Sequence, residues 1–277
     1  MVDTDHVALV QLRPADAPAG LALSTEAHWN QNEADWRFFL NEGTVFGVRD
    51  GNGDLVATAA LLPYTSGNAW ISMVLVTASR RRRGLATRLV DACLEAAARQ
   101  HLTTWLDATP DGAAVYGPLG FAPTLQLRRL RLEHSASPTA GTLQPISAPD
   151  LDQFIARDTG AMGFDRRTLL AELGQRPSSR LWSHGEAVAL IRDGRKARHV
   201  GPIFANGPDQ ALAMVSEIAR SETGPLLIDA VHTQTEFLDG LTSSGWTIER
   251  PFQRMRFGRA PAQPTSLPFA VAGPEYG

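Results

Sequence analysis

Four consecutive arginines, Arg80 to Arg83, stand directly before Gly84 and a helical pattern. Upstream, Ile71, Met73, Val74, Leu75 and Val76 form a short apolar run of strand-forming residues. Downstream, Leu85, Ala86, Leu89, Val90, Cys93, Leu94 and Ala97 repeat as one buried face of a helix. A helix start offers backbone N–H groups without internal partners and the positive end of the helix dipole. Gly84 removes a side chain from the approach, and the arginines add fixed positive charge. A strand–turn–helix of this kind is suited to hold phosphate or pyrophosphate. It lacks the Gly-Lys-Ser/Thr of a Walker loop and the GxGxxG of a dinucleotide fold. The competing reading is an exposed arginine-rich loop that merely ends a strand.

The same residues resemble the coenzyme A motif of the GNAT N-acetyltransferases. That motif is Arg/Gln-x-x-Gly-x-Gly/Ala between a strand and the following helix, and here it reads Arg81-x-x-Gly84-x-Ala86 after Val74-Leu75-Val76-Thr77. The resemblance implies acetyl-CoA as acyl donor. Its pyrophosphate would lie on Arg81, Arg82, Arg83, Gly84, Leu85, Ala86 and Thr87. Its pantetheine arm would pair with Val74, Leu75 and Val76.

Acyl transfer from a thioester to an amine leaves a thiolate that gains from a proton, which a phenol can supply. In Val115-Tyr116-Gly117-Pro118-Leu119-Gly120-Phe121 the tyrosine ends a short helix before a glycine turn. This resembles the family's Tyr with Gly-Phe four residues on, where the Tyr is the general acid. The bland alternative is a packing tyrosine. The family often places a basic Glu on the fourth strand, but that strand offers only Ser72 among polar residues here. Asp107, ending the next strand, is the nearest carboxylate candidate, against a turn-capping role. The stretch 28–36, HWNQNEADW, has the aromatic and amide composition of a polar ligand site. The resemblance puts His28, Trp29 and Asn30 at the acceptor, with Glu26 beside them. The alternative is that Trp29 and Trp36 only anchor two helices.

The elements that must position these groups follow in order. Val7–Leu12 reads as a strand, Pro14 to about Ala27 and then up to Leu40 as two helices. Thr44–Arg49 and Leu55–Tyr64 read as a hairpin across Asp50-Gly51-Asn52-Gly53. After the organising strand and helix come a strand at Leu102–Asp107, a helix at Pro110–Tyr116 and a strand at Phe121–Glu133. The stretch from His134 to about Gly141 is linker-like. A second set of helices and strands runs to Phe257, and a Pro- and Ala-rich tail reads as extended or disordered.

The expected fold is α/β with a mixed sheet, a tandem of two GNAT-like acyl-CoA N-acyltransferase domains. Residues 1–134 carry the coenzyme site, 142–258 a degenerate copy, and 259–277 the tail. A short internal repeat supports the copy. Leu106-Asp107-Ala108 matches Ile228-Asp229-Ala230, and Gly120 precedes Arg129 and Arg131 by the same intervals as Gly245 precedes Arg254 and Arg256. The loop equivalent to the cradle, residues 200–208, has no arginine cluster and carries Pro202 and Pro208, which offer no N–H. The second half therefore reads as binding no coenzyme.

With 277 residues, 43% hydrophobic and 20% charged, the chain suits a globular protein of two domains. No apolar run reaches the roughly 18–20 residues of a membrane span, and the N-terminus lacks a signal-peptide plan. The single cysteine, Cys93, excludes an internal disulfide, fits a reducing cytosol and falls on the apolar helix face. The histidines are scattered, so no metal site is expected. A net charge of −3 argues against a nucleic-acid binder, although the arginine run leaves that reading testable. The expected partner is a small-molecule amine, with the protein as a monomer or as a homodimer through a sheet edge. A non-catalytic acyl-CoA-binding module is the alternative function.

Overall fold

The computed structural model describes residues 8–133, 144–145, 148–259 and 266–277. The linker-like stretch at 134–141 lies outside them. The chain divides into two compact units. One holds residues up to Pro63 together with Gly67–Leu106, and the other holds Tyr64–Ser66 with Asp107–Gly277.

In the first unit β1 (Leu9–Gln11) leads through a 3-10 turn, Pro14–Asp16, into α1 (Ala17–Glu26) and α2 (Glu33–Glu42). Then follow β2 (Thr44–Arg49), β3 (Leu55–Tyr64), β4 (Asn68–Val76), a 3-10 turn at Ala78–Arg80, α3 (Leu85–Arg99) and β5 (Thr103–Ala108). The strand order is β1-β2-β3-β4-β5. β1, β2 and β3 pair antiparallel, and β4 runs parallel to β5. The sequence pattern sets this directly. β3 is apolar on both faces and buried through Leu62, as a central strand must be. On α3 the face of Leu89, Val90, Cys93, Ala96 and Ala97 is buried, each large apolar side chain contributing about 1.5–3 kcal/mol. Cys93 lies wholly inside, and burial pushes its thiol up to about 12, so it packs and does not attack.

The second unit contains α4 (Pro110–Tyr116), β6 (Ala122–Leu132), β7 (Gln144–Pro145), α5 (Ala148–Met162), α6 (Arg167–Gln175) and β8 (Arg180–His184). It continues with β9 (Ala187–Arg192), β10 (Arg198–Phe204), α7 (Pro208–Ser221), β11 (Leu226–Val231), α8 (Thr235–Ser243) and β12 (Thr247–Phe257). Its strand order is β12-β6-β11-β10-β9-β8-β7. β6 is antiparallel to both β11 and β12, while β10 and β11 are parallel. The core gathers Ile191, Val200, Met214, Ile218, Ile228, Phe237 and Trp246.

Two features depart from the sequence reading. β6, the closing strand of the first repeat, pairs inside the sheet of the second unit. The segment 259–277 reads from its sequence as an extended or disordered tail. Phe269, Ala270, Val271, Ala272 and Tyr276 are instead buried, because their backbone groups complete unpaired strands and their side chains are apolar.

Candidate active site

Within β4, Met73 takes a left-handed conformation with φ +52°. A residue in that conformation breaks the pleat and bends the strand. Its carbonyl accepts a hydrogen bond from Thr58 Oγ1 at 2.8 Å, which fixes the break. The registered ladder with β5 covers only Asn68, Ala69 and Trp70 against Thr103, Thr104 and Trp105. β4 continues to Val76 beyond it, so Val74, Leu75 and Val76 lie past the end of that ladder. Ser72, just before the break, is buried with its hydroxyl lacking a hydrogen-bond partner. A buried polar group of that kind calls for a water or a ligand.

The turn after β4 is stiff. Thr77 N–H donates to Val56 O at 2.9 Å, and Arg80 N–H to Thr77 O at 3.0 Å. Arg81 folds back so that Nε donates to Val76 O at 3.2 Å. Arg82 and Gly84 have φ of +60° and +76°. A Cβ at Gly84 would meet nothing within 4 Å, so the glycine serves its backbone angle and leaves the approach open. α3 starts with no side-chain cap, and Arg81, Arg82 and Arg83 are exposed beside it. Leu85, Ala86 and Thr87 open its first turn, whose N–H groups have no partner within the helix. These residues fit a pyrophosphate: uncapped amides, the positive helix end and arginines meet at one turn.

α1 is tied to the same turn. Glu26 Oε1 accepts from Ala78 N–H at 2.7 Å, and Thr77 Oγ1 donates to the carboxylate at 2.8 and 2.9 Å. The Ala78 amide, then the Thr77 hydroxyl, hold the Glu26 carboxyl below its usual range. The helix ends in a Schellman motif. His28 N–H donates to Thr25 O and Trp29 N–H to Ser24 O, with His28 left-handed at φ +58°. The His28 side chain is exposed, Trp29 half-buried and Asn30 buried. The Glu26 link ties the end of α1 to Thr77 and Ala78, a connection that only the fold reveals.

Trp36 has the anchoring role. It is fully buried, donates from Nε1 to Ser24 Oγ at 2.7 Å and packs so tightly on Gly20 that a Cβ there would lie 2.4 Å from its ring. Asn32 caps α2, with its side chain and that of Asp35 bonding each other's backbone N–H groups.

Tyr116 and Asp107 belong to the second unit. Tyr116 ends α4 and is nine-tenths buried, its ring 6.0 Å from that of Phe121. Its carbonyl accepts from Leu119 and Phe121 N–H, so the glycine turn predicted from sequence folds back on the tyrosine. Asp107 is corrected as a base candidate. Its side chain is inaccessible, and both oxygens are taken by Arg254, Nε to Oδ1 and Nη2 to Oδ2, each at 2.9 Å. Burial raises its pKa and Arg254 opposes that rise. A carboxylate bound on both oxygens serves structure and is closed to an incoming amine.

The matching aspartate, Asp229, is held by Arg129 at 2.8 and 2.7 Å and by His199 Nε2 at 2.9 Å. Burial works to raise its pKa, but Arg129 and His199 outweigh burial and the net direction is down. Burial, then Arg192, lowers the pKa of His199, which fits a neutral ring donating from Nε2. The Asp-and-Arg repeat was visible in the sequence, but the pairing of each Asp with the other half's Arg was not.

No helix among the described residues is long and apolar enough to cross a membrane. Among the described residues, no cluster of three or more His, Cys, Asp or Glu is placed to hold a metal ion.

Residues 9–121 match the model of the acetyltransferase (GNAT) family, and residues 155–270 match a further acetyltransferase (GNAT) domain model. An uncharacterized N-acetyltransferase of Bacillus subtilis (strain 168), YitH, is 25% identical over 86% of this chain and 87% of its own length. A holothin acyltransferase of Pseudoalteromonas sp. (strain SANK 73390) is 26% identical over 90% of this chain and 87% of its own. The crystal structure of a Pyrococcus horikoshii protein assigned as an acetyltransferase superposes with a TM-score of 0.81 at 18% identity. That superposition covers 99% of this chain and 97% of the other.

Proposed function

The chain belongs to the GNAT acetyltransferase family as a tandem of two such domains, and from that premise we propose that it is an N-acetyltransferase moving an acetyl group from acetyl-CoA to a primary amine of a small molecule. The observation that carries this is the junction of β4 and α3. A strand broken at Met73 runs past its ladder into an uncapped, arginine-flanked helix start. A relative named as a holothin acyltransferase supports acyl transfer onto a small molecule.

The donor supplies an activated thioester. Arg81, Arg82, Arg83, Gly84, Leu85, Ala86 and Thr87 hold its pyrophosphate by charge and backbone amides. Val74, Leu75 and Val76 offer strand-like pairing to its arm, and an N–H there polarises the thioester carbonyl. His28, Trp29 and Asn30 receive the amine at the stretch that Glu26 ties to the turn. Transfer is direct, in a ternary complex, and Tyr116 gives its proton to the departing sulfur. Asp107 positions Arg254 and takes no proton. With no protein base assigned, attack draws on the unprotonated fraction of the amine, and the proton that the nitrogen sheds on becoming an amide passes to solvent, from which Tyr116 regains its own.

Calorimetric titration with acetyl-CoA tests the reading. The wild type binds one equivalent, and the Arg81→Ala, Gly84→Asp double variant loses at least about tenfold in affinity, about 1.4 kcal/mol. Absence of binding by the wild type would remove the coenzyme site. Binding without turnover across an amine library would favour the non-catalytic module.

A further inference from the structure

β10 and β11 are parallel neighbours, yet their ladder registers only Arg198 with Leu226 and His199 with Leu227. Beyond those pairs the strands are joined through a third segment. Ala270 bridges antiparallel to Ile203 on one side and to Ala230 on the other. Ile203 N–H donates to Ala270 O at 3.0 Å and Phe269 N–H to Ile203 O at 2.9 Å. Val231 N–H donates to Phe269 O and Val271 N–H to Asp229 O, both at 3.0 Å. Residues 269–271 are thus an inserted strand that satisfies two strand edges at once.

We propose that the wedge between β10 and β11 is a peptide-strand binding site, whose ligand is the chain's own segment 266–277, and that its non-covalent contacts suffice to hold it there once the covalent tether is cut. The inference does not rest on the acetyltransferase reading. Strand addition of this kind takes affinity from main-chain hydrogen bonds and specificity from the side-chain pockets. Both are present. Ala270 is completely buried between its partner strands, so the slot demands a small residue there. At Gly201 a Cβ would lie 2.1 Å from the Val271 carbonyl oxygen, so the wall is cut back to backbone where the segment passes.

A second anchor holds the turn that follows. Tyr276 and Gly277 N–H both donate to Gly273 O at 2.9 Å. Tyr276 is fully buried with the Arg192 guanidinium over its ring at 5.3 Å, and Arg192 Nη2 donates to Glu275 Oε1 and to Ala272 O. Arg166, clamped by Asp158 at 2.7 Å on both oxygens, donates from Nη1 to the carbonyls of Tyr276 and Gly277. Tyr64 OH donates to the Tyr276 carbonyl at 2.9 Å. The arginines recognise the turn by carbonyls and one carboxylate, so the ligand class is an extended apolar peptide closed by a tight glycine turn. In the second unit the strand-to-helix turn after β10 is residues 205–207, against 77–84 after β4 in the first unit.

The test introduces a specific protease site at residues 262–263 of the full chain and cleaves it under native conditions. The released segment is expected to co-elute with the body on gel filtration. When the cleaved protein is unfolded and refolded with excess fluorescent peptide 266–277, the peptide is expected to incorporate at one equivalent. A peptide carrying Ala270→Asp is expected to bind at least about 100-fold more weakly, since it buries a charge without a partner. Loss of the segment on cleavage with an unchanged thermal transition would overturn the proposal. So would failure of the labelled peptide to incorporate, or equal binding of the two peptides. Acetyl-CoA is absent from every arm, so these outcomes are independent of the first unit's function.

Discussion

Asp107 and Arg254, 147 residues apart, form a two-pronged ion pair, and Asp229 and Arg129 form its mirror image from the opposite halves. Each half of the repeat supplies the aspartate for one pair and the arginine for the other. The side chains of Asp107 and Asp229 are inaccessible to solvent. Removing one partner leaves a buried charge uncompensated, at a cost of about 3–5 kcal/mol. Asp107→Asn is therefore expected to lower the denaturation midpoint sharply. The double variant Asp107→Leu, Arg254→Met recovers most of that loss. The pH profile of kcat/KM in the surviving folded Asp107→Asn protein stays where the wild type has it. A profile that loses its acidic limb would return Asp107 to the role of base.

Tyr116→Phe keeps the ring that packs against Phe121 and removes only the hydroxyl. The expected result is a fall in kcat of about 10²-fold with KM for acetyl-CoA and thermal stability unchanged. Full turnover in the variant would reduce Tyr116 to packing.

His28 occupies the left-handed position of a Schellman motif, where glycine is favoured. His28→Gly relieves backbone strain and is expected to raise stability by up to about 1 kcal/mol. If the imidazole contacts the acceptor, KM for the amine rises in the same variant, while acetyl-CoA affinity stays level. A stabilised variant with unchanged KM would take His28 out of the acceptor site.

The Glu26 link is sensitive to acid. Its carboxyl is held below the ordinary value of 4.5 by the Ala78 amide and then the Thr77 hydroxyl. For an acid with a depressed pKa the contact is fully present above 4.5 and is lost as pH falls through the lower, folded value. The Ala78 amide resonance should therefore titrate with a midpoint below 4.5, and in Glu26→Gln it should not move. A midpoint at or above 4.5 would show that the hydrogen bonds do not form in solution.

By itself the sequence determined the local elements and the arginine-flanked helix start. The apolar rhythm from Leu85 to Ala97 sets α3, Asp50-Gly51-Asn52-Gly53 sets a hairpin, and Arg81-x-x-Gly84-x-Ala86 sets the helix start, because each depends on neighbours within one turn. Tertiary structure alone decided three things. Asp107 was committed to Arg254, Glu26 was tied to Ala78, and residues 269–271 were inserted between β10 and β11. The physical reason is range. Periodicity reports which face of an element is buried, but a carboxylate or a strand edge takes its partner from wherever the chain returns. The composition of the 259–277 segment, rich in Pro and Ala, carries no record of the two open edges that order its last residues.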